Sequence, residues 1–294
     1  MGIAKSPLFW TASLAALAAG SLSACGEPAS DTGAEPAETA EASPQDQANA
    51  ALAGEGGGEG GEGGEGGGEF GIDPAVAGED PVVYLSAVEV MRAHYLAGLA
   101  ALNAGDRAAA AGMFSHPVSE IYVDFEPVAT GRGAPSAMEA MNQAAVLHFQ
   151  EASDDEIRTA VQEVLRLLDE TEAAAPAPRT SAAQVDAEVI LDLADRAALQ
   201  YGLAMGDAGT GEAWLDAYGF NAATQFYARR KSEGLTEAMP RLGRPLSDLL
   251  VTLETALGDY DGPDEAAPSP EAVATKVQAY RNTLLPEGDE ATAP

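Results

Sequence analysis

The sequence is poor in cysteine and in basic side chains. Its 294 residues include a single cysteine, Cys25, so no disulfide can form within the chain. Lys and Arg together number 15 against 47 Asp and Glu, which gives a net charge of -32. So large a negative charge excludes nucleic acid as a partner, because its phosphates would be repelled, and it opposes electrostatic binding to anionic lipid.

The first 24 residues have the features of a signal peptide. Lys5 supplies a positive charge, and residues 7–22 form an apolar stretch too short and too rich in small residues for a membrane span. The stretch runs into Leu-Ser-Ala-Cys ending at Cys25, which resembles the bacterial lipobox. The resemblance implies a mature chain acylated at Cys25. Gly26 at the next position favours sorting to the outer membrane, and we expect a lipid-anchored protein that faces the periplasm. The alternative is an ordinary secretory signal with a coincidental cysteine.

An acidic segment follows the signal peptide. Residues 26–80 contain 14 acidic side chains and neither Lys nor Arg, and Gly-Glu repeats fill residues 54–71. Such a segment can bury little and repels itself, so we predict a lipidated, disordered linker over residues 25–80. As a coil it would reach about 40 Å from the lipid. We interpret it as a tether, since isolated solvated carboxylates bind divalent ions weakly.

The remainder shows no sustained alternation of β-branched residues, whereas apolar residues recur at helical spacing throughout. We therefore predict an all-α domain over residues 81–285, built as an antiparallel helical bundle, and a disordered tail over residues 286–294. Whether the bundle divides into two halves near Pro176 is left open.

Three predicted helices span the region that holds all three histidines. Gly105 and Asp106 form the first turn, as a C′ glycine followed by an N-cap. Proline lacks an amide hydrogen and clashes with the preceding turn, so Pro117 should begin a fresh segment of the second helix. Ser136, followed three residues later by Glu139, is predicted to cap the third helix. The predicted spans are residues 82–103, 107–130 and 136–152.

The histidines are predicted to lie at one level of the bundle. His94 and His116 are each 11 residues from Gly105, and residues equidistant from a hairpin turn have the same height. Around the next predicted turn, His116 lies 17 residues before and His148 15 residues after. Glu120 follows His116 by one helical turn. Imidazoles and carboxylates that converge inside a bundle bind Fe, Mn, Cu or Zn, so we predict a transition-metal site with ligands His94, His116, Glu120 and His148.

Each histidine also has an ordinary structural interpretation. His94 could be a core residue bonded to a neighbouring carbonyl. His116 could cap the segment that Pro117 begins, and His148 could lie on a solvated face. The metal-site hypothesis requires that the first two, at least, are ligands.

Two peptides in this region carry a family resemblance. His-Tyr-Leu-Ala-Gly from His94 and His-Pro-Val-Ser-Glu-Ile-Tyr from His116 resemble a motif of functionally uncharacterised alphaproteobacterial lipoproteins with Gly/Glu tethers. More loosely, an all-α lipoprotein that pairs His with Glu is similar to the imelysin-like proteins of bacterial iron uptake. Their Gly-x-His-x-x-Glu motif is absent, because Ala97 stands three residues after His94 and His116 meets Glu120 at i+4. The resemblance implies iron or copper as the bound metal.

A second resemblance favours a different function. Gly98, Leu102 and the turn at Gly105 resemble tetratricopeptide hairpins, although the repeat period of about 34 residues is missing. The alternative function is accordingly a metal-free helical adaptor that binds another envelope protein. The aromatic run from Trp214 to Phe220 would be its contact surface, unless those aromatics belong to the core.

Motifs of common catalytic sites are absent. The sequence has no Gly-x-Ser-x-Gly elbow, no His-Glu-x-x-His and no phosphate-binding loop, and the thiol of Cys25 is assigned to the lipid. Acidic pairs occur throughout an acidic chain and single out no position. We therefore expect a binding protein and not an enzyme, with transition-metal uptake or homeostasis as its function.

Overall fold

The computed structural model describes residues 72–206 and 209–285, and every regular element within them is helical. The predicted all-α class is confirmed. None of the described helices is long and apolar enough to cross a membrane. The predicted signal peptide, the predicted lipidation site at Cys25, the predicted linker up to residue 71 and the predicted tail over residues 286–294 lie outside the described residues. The α-helices are α1 (Pro74–Ala77), α2 (Pro81–Ala104), α3 (Arg107–Pro117), α4 (Val123–Gly131), α5 (Met138–Val146), α6 (Asp154–Glu172), α7 (Ala182–Ala204), α8 (Gly211–Ala238), α9 (Gly243–Leu257) and α10 (Pro270–Leu284).

Helix α2 lies at the centre of the bundle. Asp80 caps its first turn, and Gly105 ends it in the left-handed conformation with a φ of 85°, as the sequence predicts. Every residue from Tyr84 to Tyr95 is buried, because α3, α6, α7 and α8 all pack against the helix. A helix enclosed on every side must also bury its polar residues, which here include a histidine.

A buried ion pair occupies one side of α2. The Nε of Arg92 donates to both carboxylate oxygens of Glu89 at 3.0 Å, and both side chains are almost fully buried. The guanidinium also lies 3.0 Å from Asp169 of α6 and 4.7 Å from the ring centroid of Phe226 of α8. Burial raises the pKa of Glu89 to about 7. The pair therefore fixes how α6 and α8 meet α2.

The main cluster of buried side chains extends from Ile72 to Leu284, so among the described residues core packing continues across Pro176, and a small second cluster comprises Ala97, Met113 and Leu215. The core begins before residue 81, where the prediction placed the domain boundary. Asp73 and Asp80, which the sequence analysis assigned to the acidic linker, are helix caps: each accepts a backbone hydrogen bond of 2.8 Å at the start of α1 or α2. The predicted linker is therefore too long at its carboxyl end.

The capping-box pattern of the sequence occurs at two helix starts, with different outcomes. Ser153 and Glu156 form a reciprocal capping box at the start of α6, in agreement with the sequence pattern. Ser136 does not cap the third predicted helix with Glu139, since α5 begins only at Met138. Ser136 instead donates to the carboxylate of Glu126 in the preceding helix. The Oγ of Ser136 also accepts from the amide of Met138 at 3.3 Å, so a local bond remains without the predicted partner Glu139.

Candidate metal centre

The fold brings three of the four predicted ligands together. His94, His116 and Glu120 each present one potential ligand atom, and these atoms lie within 4.8 Å of one another. The Nε2 of His94 is 3.9 Å from Glu120 Oε2, and the Nδ1 of His116 is 3.8 Å from Glu120 Oε1. The two imidazole centroids are 5.8 Å apart, in an edge-to-face arrangement. The hairpin around Gly105 has therefore aligned the first two histidines as predicted.

The hydrogen bonding of His94 determines which of its nitrogens faces the site. Its Nδ1 lies 2.9 Å from the backbone carbonyl of Val90, one turn earlier. A carbonyl oxygen can only accept, so Nδ1 carries the proton and Nε2 keeps its lone pair. Burial lowers the pKa of His94 to about 4, so the ring is neutral at neutral pH. This is the state in which an imidazole binds a metal ion, with its other nitrogen held by a carbonyl.

Pro117 positions the second histidine and the carboxylate. The prediction that Pro117 begins a fresh segment is wrong: α3 runs through His116 to Pro117, and a π-helical segment, Val118–Tyr122, follows directly. Proline cannot donate to the carbonyl four residues back and its ring crowds that carbonyl, so the helix widens here. The amide of Val123 accordingly donates to the carbonyl of Val118, five residues earlier. Glu120 lies within this widened turn, at its point of approach to α2.

A second carboxylate at the site was missed by the sequence analysis. Asp216 of α8 places Oδ1 3.9 Å from the Nε2 of His94, and its side chain is only 9% exposed. Gly219, one turn later on the same face, lets α8 approach α2 closely: a Cβ there would lie 2.6 Å from the carbonyl oxygen of Ala93. The sequence did contain a signal for Asp216: it is a polar residue on an otherwise apolar helix face, one turn before Gly219.

The side chains of the site become more exposed toward one end. His94 is 1% exposed, Glu120 17% and His116 24%. Glu212, in the first turn of α8, is 64% exposed and lies 3.7 Å from the Nε2 of His116. A cation entering from solvent would therefore meet Glu212 and His116 first and His94 last.

No protein-family model, curated protein or solved structure matches the chain. The resemblance to helical lipoproteins of iron uptake thus stays a prediction, and the chemistry of the site is argued from its geometry. Two imidazoles and two carboxylates form a donor set that suits first-row transition metals.

The third histidine is not part of the group. His148 lies in a 3-10 helix, Leu147–Gln150, with its ring 5.3 Å from that of Phe149. The predicted α-helix over residues 136–152 ends at Val146, so the 15 residues from the second turn to His148 were counted along an α-helix that does not continue. The π-helical segment on the other side of that turn changes the rise as well.

The aromatic run on α8 belongs to the core and not to an exposed surface. Trp214 donates from its indole nitrogen to the carbonyl of Tyr260 at 2.9 Å and lies edge-on to Tyr201. Phe220 is buried, and its ring centroid lies 6.3 Å from that of His94. Phe220 thus lies beside His94, the most buried residue of the candidate site.

Proposed function

We propose that the protein binds one transition-metal ion through His94, His116 and Glu120 and that it serves metal uptake or homeostasis. The observation that carries this proposal is the convergence of the three potential ligand atoms within 4.8 Å, on a buried helix and the widened turn beside it. The tautomer of His94 supports it, since Nε2 offers a lone pair toward Glu120.

The spacing of the side chains fits an ion after a contraction of the group. Ligands about 2.1 Å from a tetrahedral ion lie about 3.4 Å from one another. His94 and His116 lie 3.9 and 3.8 Å from different oxygens of Glu120, and with one ligand atom taken from each residue the atoms lie within 4.8 Å of one another. The widest pair would therefore have to close by up to about 1.4 Å, which the carboxylate of Glu120 and the partly exposed imidazole of His116 can do by side-chain rotation.

The cellular setting of the proposal depends on the residues before the described part of the chain. The tetrapeptide ending at Cys25 supports anchoring in the outer membrane through an acylated cysteine. The imelysin-like resemblance supports iron or copper as the metal. A periplasmic site on a lipid-anchored body would hold the ion close to the outer membrane.

Metal titration of the purified, metal-free full chain tests the proposal. We expect one ion per chain. His116→Ala removes a ligand and should lower the metal affinity at least tenfold, since losing a residue that only supports a ligand typically lowers it about 10–100-fold. His148→Ala is the matched control and should leave the affinity unchanged. His116 is partly exposed, so its truncation should leave the fold intact. Absence of stoichiometric binding, or an equal loss in the two variants, would refute the proposal.

The alternative is a metal-free adaptor, and its predicted contact surface is less exposed than such a role favours, since Phe220 is buried and Trp214 and Tyr218 are half-buried. An adaptor would retain an envelope partner during purification whether or not a chelator is present. A metal-binding protein should instead show a melting temperature that rises with added metal.

A further inference from the structure

We infer that Asp216 is a fourth ligand and that the site is built for a divalent ion such as ferrous iron, manganese or zinc, and not for cuprous copper. The inference rests on the proposed function, because it specifies the ion that the same site would bind. Its evidence is the position of Asp216, the charge of the completed donor set and the kinds of atoms in it.

The two carboxylates converge on one nitrogen. Asp216 Oδ1 from α8 and Glu120 Oε2 from the π-helical segment each lie 3.9 Å from the Nε2 of His94. These distances exceed the range of a hydrogen bond. Asp216 lies beside the group of His94, His116 and Glu120, whose ligand atoms are within 4.8 Å of one another, and it would join that group by a movement of its side chain. His94 thus stands between two acidic side chains from different parts of the chain.

The position of Asp216 is fixed by the backbone. Gly219 brings α8 against α2 at Ala93, the residue before His94, and a side chain at that point would collide with the α2 backbone. The first turn of α8 is held as well, since Thr210 accepts from the amide of Ala213. Asp216 lies between these two fixed points, so its carboxylate is preorganised beside His94.

The charge of the donor set selects the charge of the ion. An imidazole binds a metal ion in its neutral form and a carboxylate in its ionised form, so a donor set of His94, His116, Glu120 and Asp216 has a charge of about -2 in the metal-bound state, and a divalent ion would neutralise it. A cuprous ion would leave one uncompensated negative charge in a site where His94 and Asp216 are buried, which is costly.

The donor atoms agree with this choice. The group offers nitrogen and oxygen and no sulfur, whereas cuprous ions prefer thiolate and thioether ligands. Cupric ions bind most nitrogen and oxygen sites tightly in the Irving–Williams order, so they do not discriminate. The choice of ion is therefore tested by comparing the binding of Fe²⁺, Mn²⁺ and Zn²⁺ with the binding of Cu⁺.

The experiment uses the metal-free full chain, Co²⁺ as a spectroscopic probe, and competition with Fe²⁺, Mn²⁺, Zn²⁺ and Cu⁺. We expect Asp216→Asn to lower the affinity for Zn²⁺ and Fe²⁺ by at least about tenfold and to change the Co²⁺ visible spectrum. Glu237→Gln, which removes one negative charge from an exposed position on the same helix, should change neither. The three divalent ions should displace Co²⁺ at lower concentrations than Cu⁺ does.

A gain-of-signal variant covers the case in which Asp216→Asn fails to fold. Asp216→Cys places a thiolate at the same position, and Co²⁺ bound there should give a sulfur-to-metal charge-transfer band that the unchanged chain lacks. Suppose that the unchanged chain binds metal, and that Asp216→Asn binds it equally well or Asp216→Cys shows no charge-transfer band. That result would refute the role of Asp216 and leave the proposed function standing. Tighter binding of Cu⁺ would refute the choice of ion. Failure of the unchanged chain to bind any ion would refute the proposed function itself.

Discussion

Substitution of Gly219 by alanine tests the contact that brings α8 to the candidate site. A Cβ at this position would lie 2.6 Å from the carbonyl oxygen of Ala93 and 3.1 Å from the Cβ of Ala97. The first neighbour is backbone in the middle of the central helix, so it cannot move aside as a flexible side chain would. The strain must be relieved by displacing α8 from α2.

The size of the effect follows from that distance. A carbon and a carbonyl oxygen normally stay about 3.3 Å apart, so α8 would have to shift by about 0.7 Å at Gly219. Overpacking of this kind costs about 1–3 kcal/mol of unfolding free energy. In a protein of this size each kcal/mol lowers the melting temperature by about 2–4 °C. The same shift draws Asp216 away from His94 and should weaken metal binding by about tenfold.

Gly234→Ala is the matched control, because Gly234 lies on the same helix and a Cβ at this position would have nothing within 4 Å. Removing a glycine from an exposed helical position should stabilise the protein by about 0.5–1 kcal/mol. Thermal unfolding of both variants, with and without Zn²⁺, gives the comparison. If Gly219→Ala is as stable as Gly234→Ala and binds metal equally well, then the close approach does not position Asp216.

Three further substitutions test other parts of the structure. Burial raises the pKa of Glu89 from an ordinary 4.5 to about 7. Between pH 4.5 and 7, Glu89 is therefore protonated in the folded protein and ionised in the unfolded chain. Glu89 alone would make the free energy of unfolding fall as the pH rises from 4.5 to 7, whereas the lowered pKa of His94, about 4 against an ordinary 6.5, makes it rise over nearly the same interval. Glu89→Gln removes only the first contribution, so the free energy of unfolding of this variant should rise more steeply with pH than that of the unchanged chain in urea titrations. Ser153→Ala should cost about 1 kcal/mol in the same assay, because it breaks the capping box of α6. Pro117→Ala restores an amide donor and should let α3 continue as an α-helix, which turns Glu120 from His94 and lowers metal affinity in titration without unfolding the protein.

Local signals predicted the first hairpin correctly. Gly105 takes the left-handed conformation that ends α2, and the side chain of Asp106 accepts from the amide of Ala109. Both features depend on residues adjacent in the chain, which a sequence pattern can express. Because the turn was placed correctly, so was the pairing of His94 with His116.

Features that depend on tertiary packing were not predicted. The helix after Pro117 continues because its residues Ile121 and Tyr122 are buried, and that burial outweighs the lost hydrogen bond. His148 was placed by counting residues along a helix that ends early. Asp216 lies far from the histidines in the chain, and only the packing of α8 on α2 brings it to the site.

The candidate ligands come from the central helix α2, from the end of α3 and the widened turn that follows it, and from α8. An ion held among them would act as a cross-link between distant segments, comparable to a disulfide that closes a long loop. Binding of a metal ion at the site should therefore slow amide hydrogen exchange along α2 and α8, including residues far from the ion in the chain. Exchange rates measured with and without metal would report binding in the whole protein without any substitution.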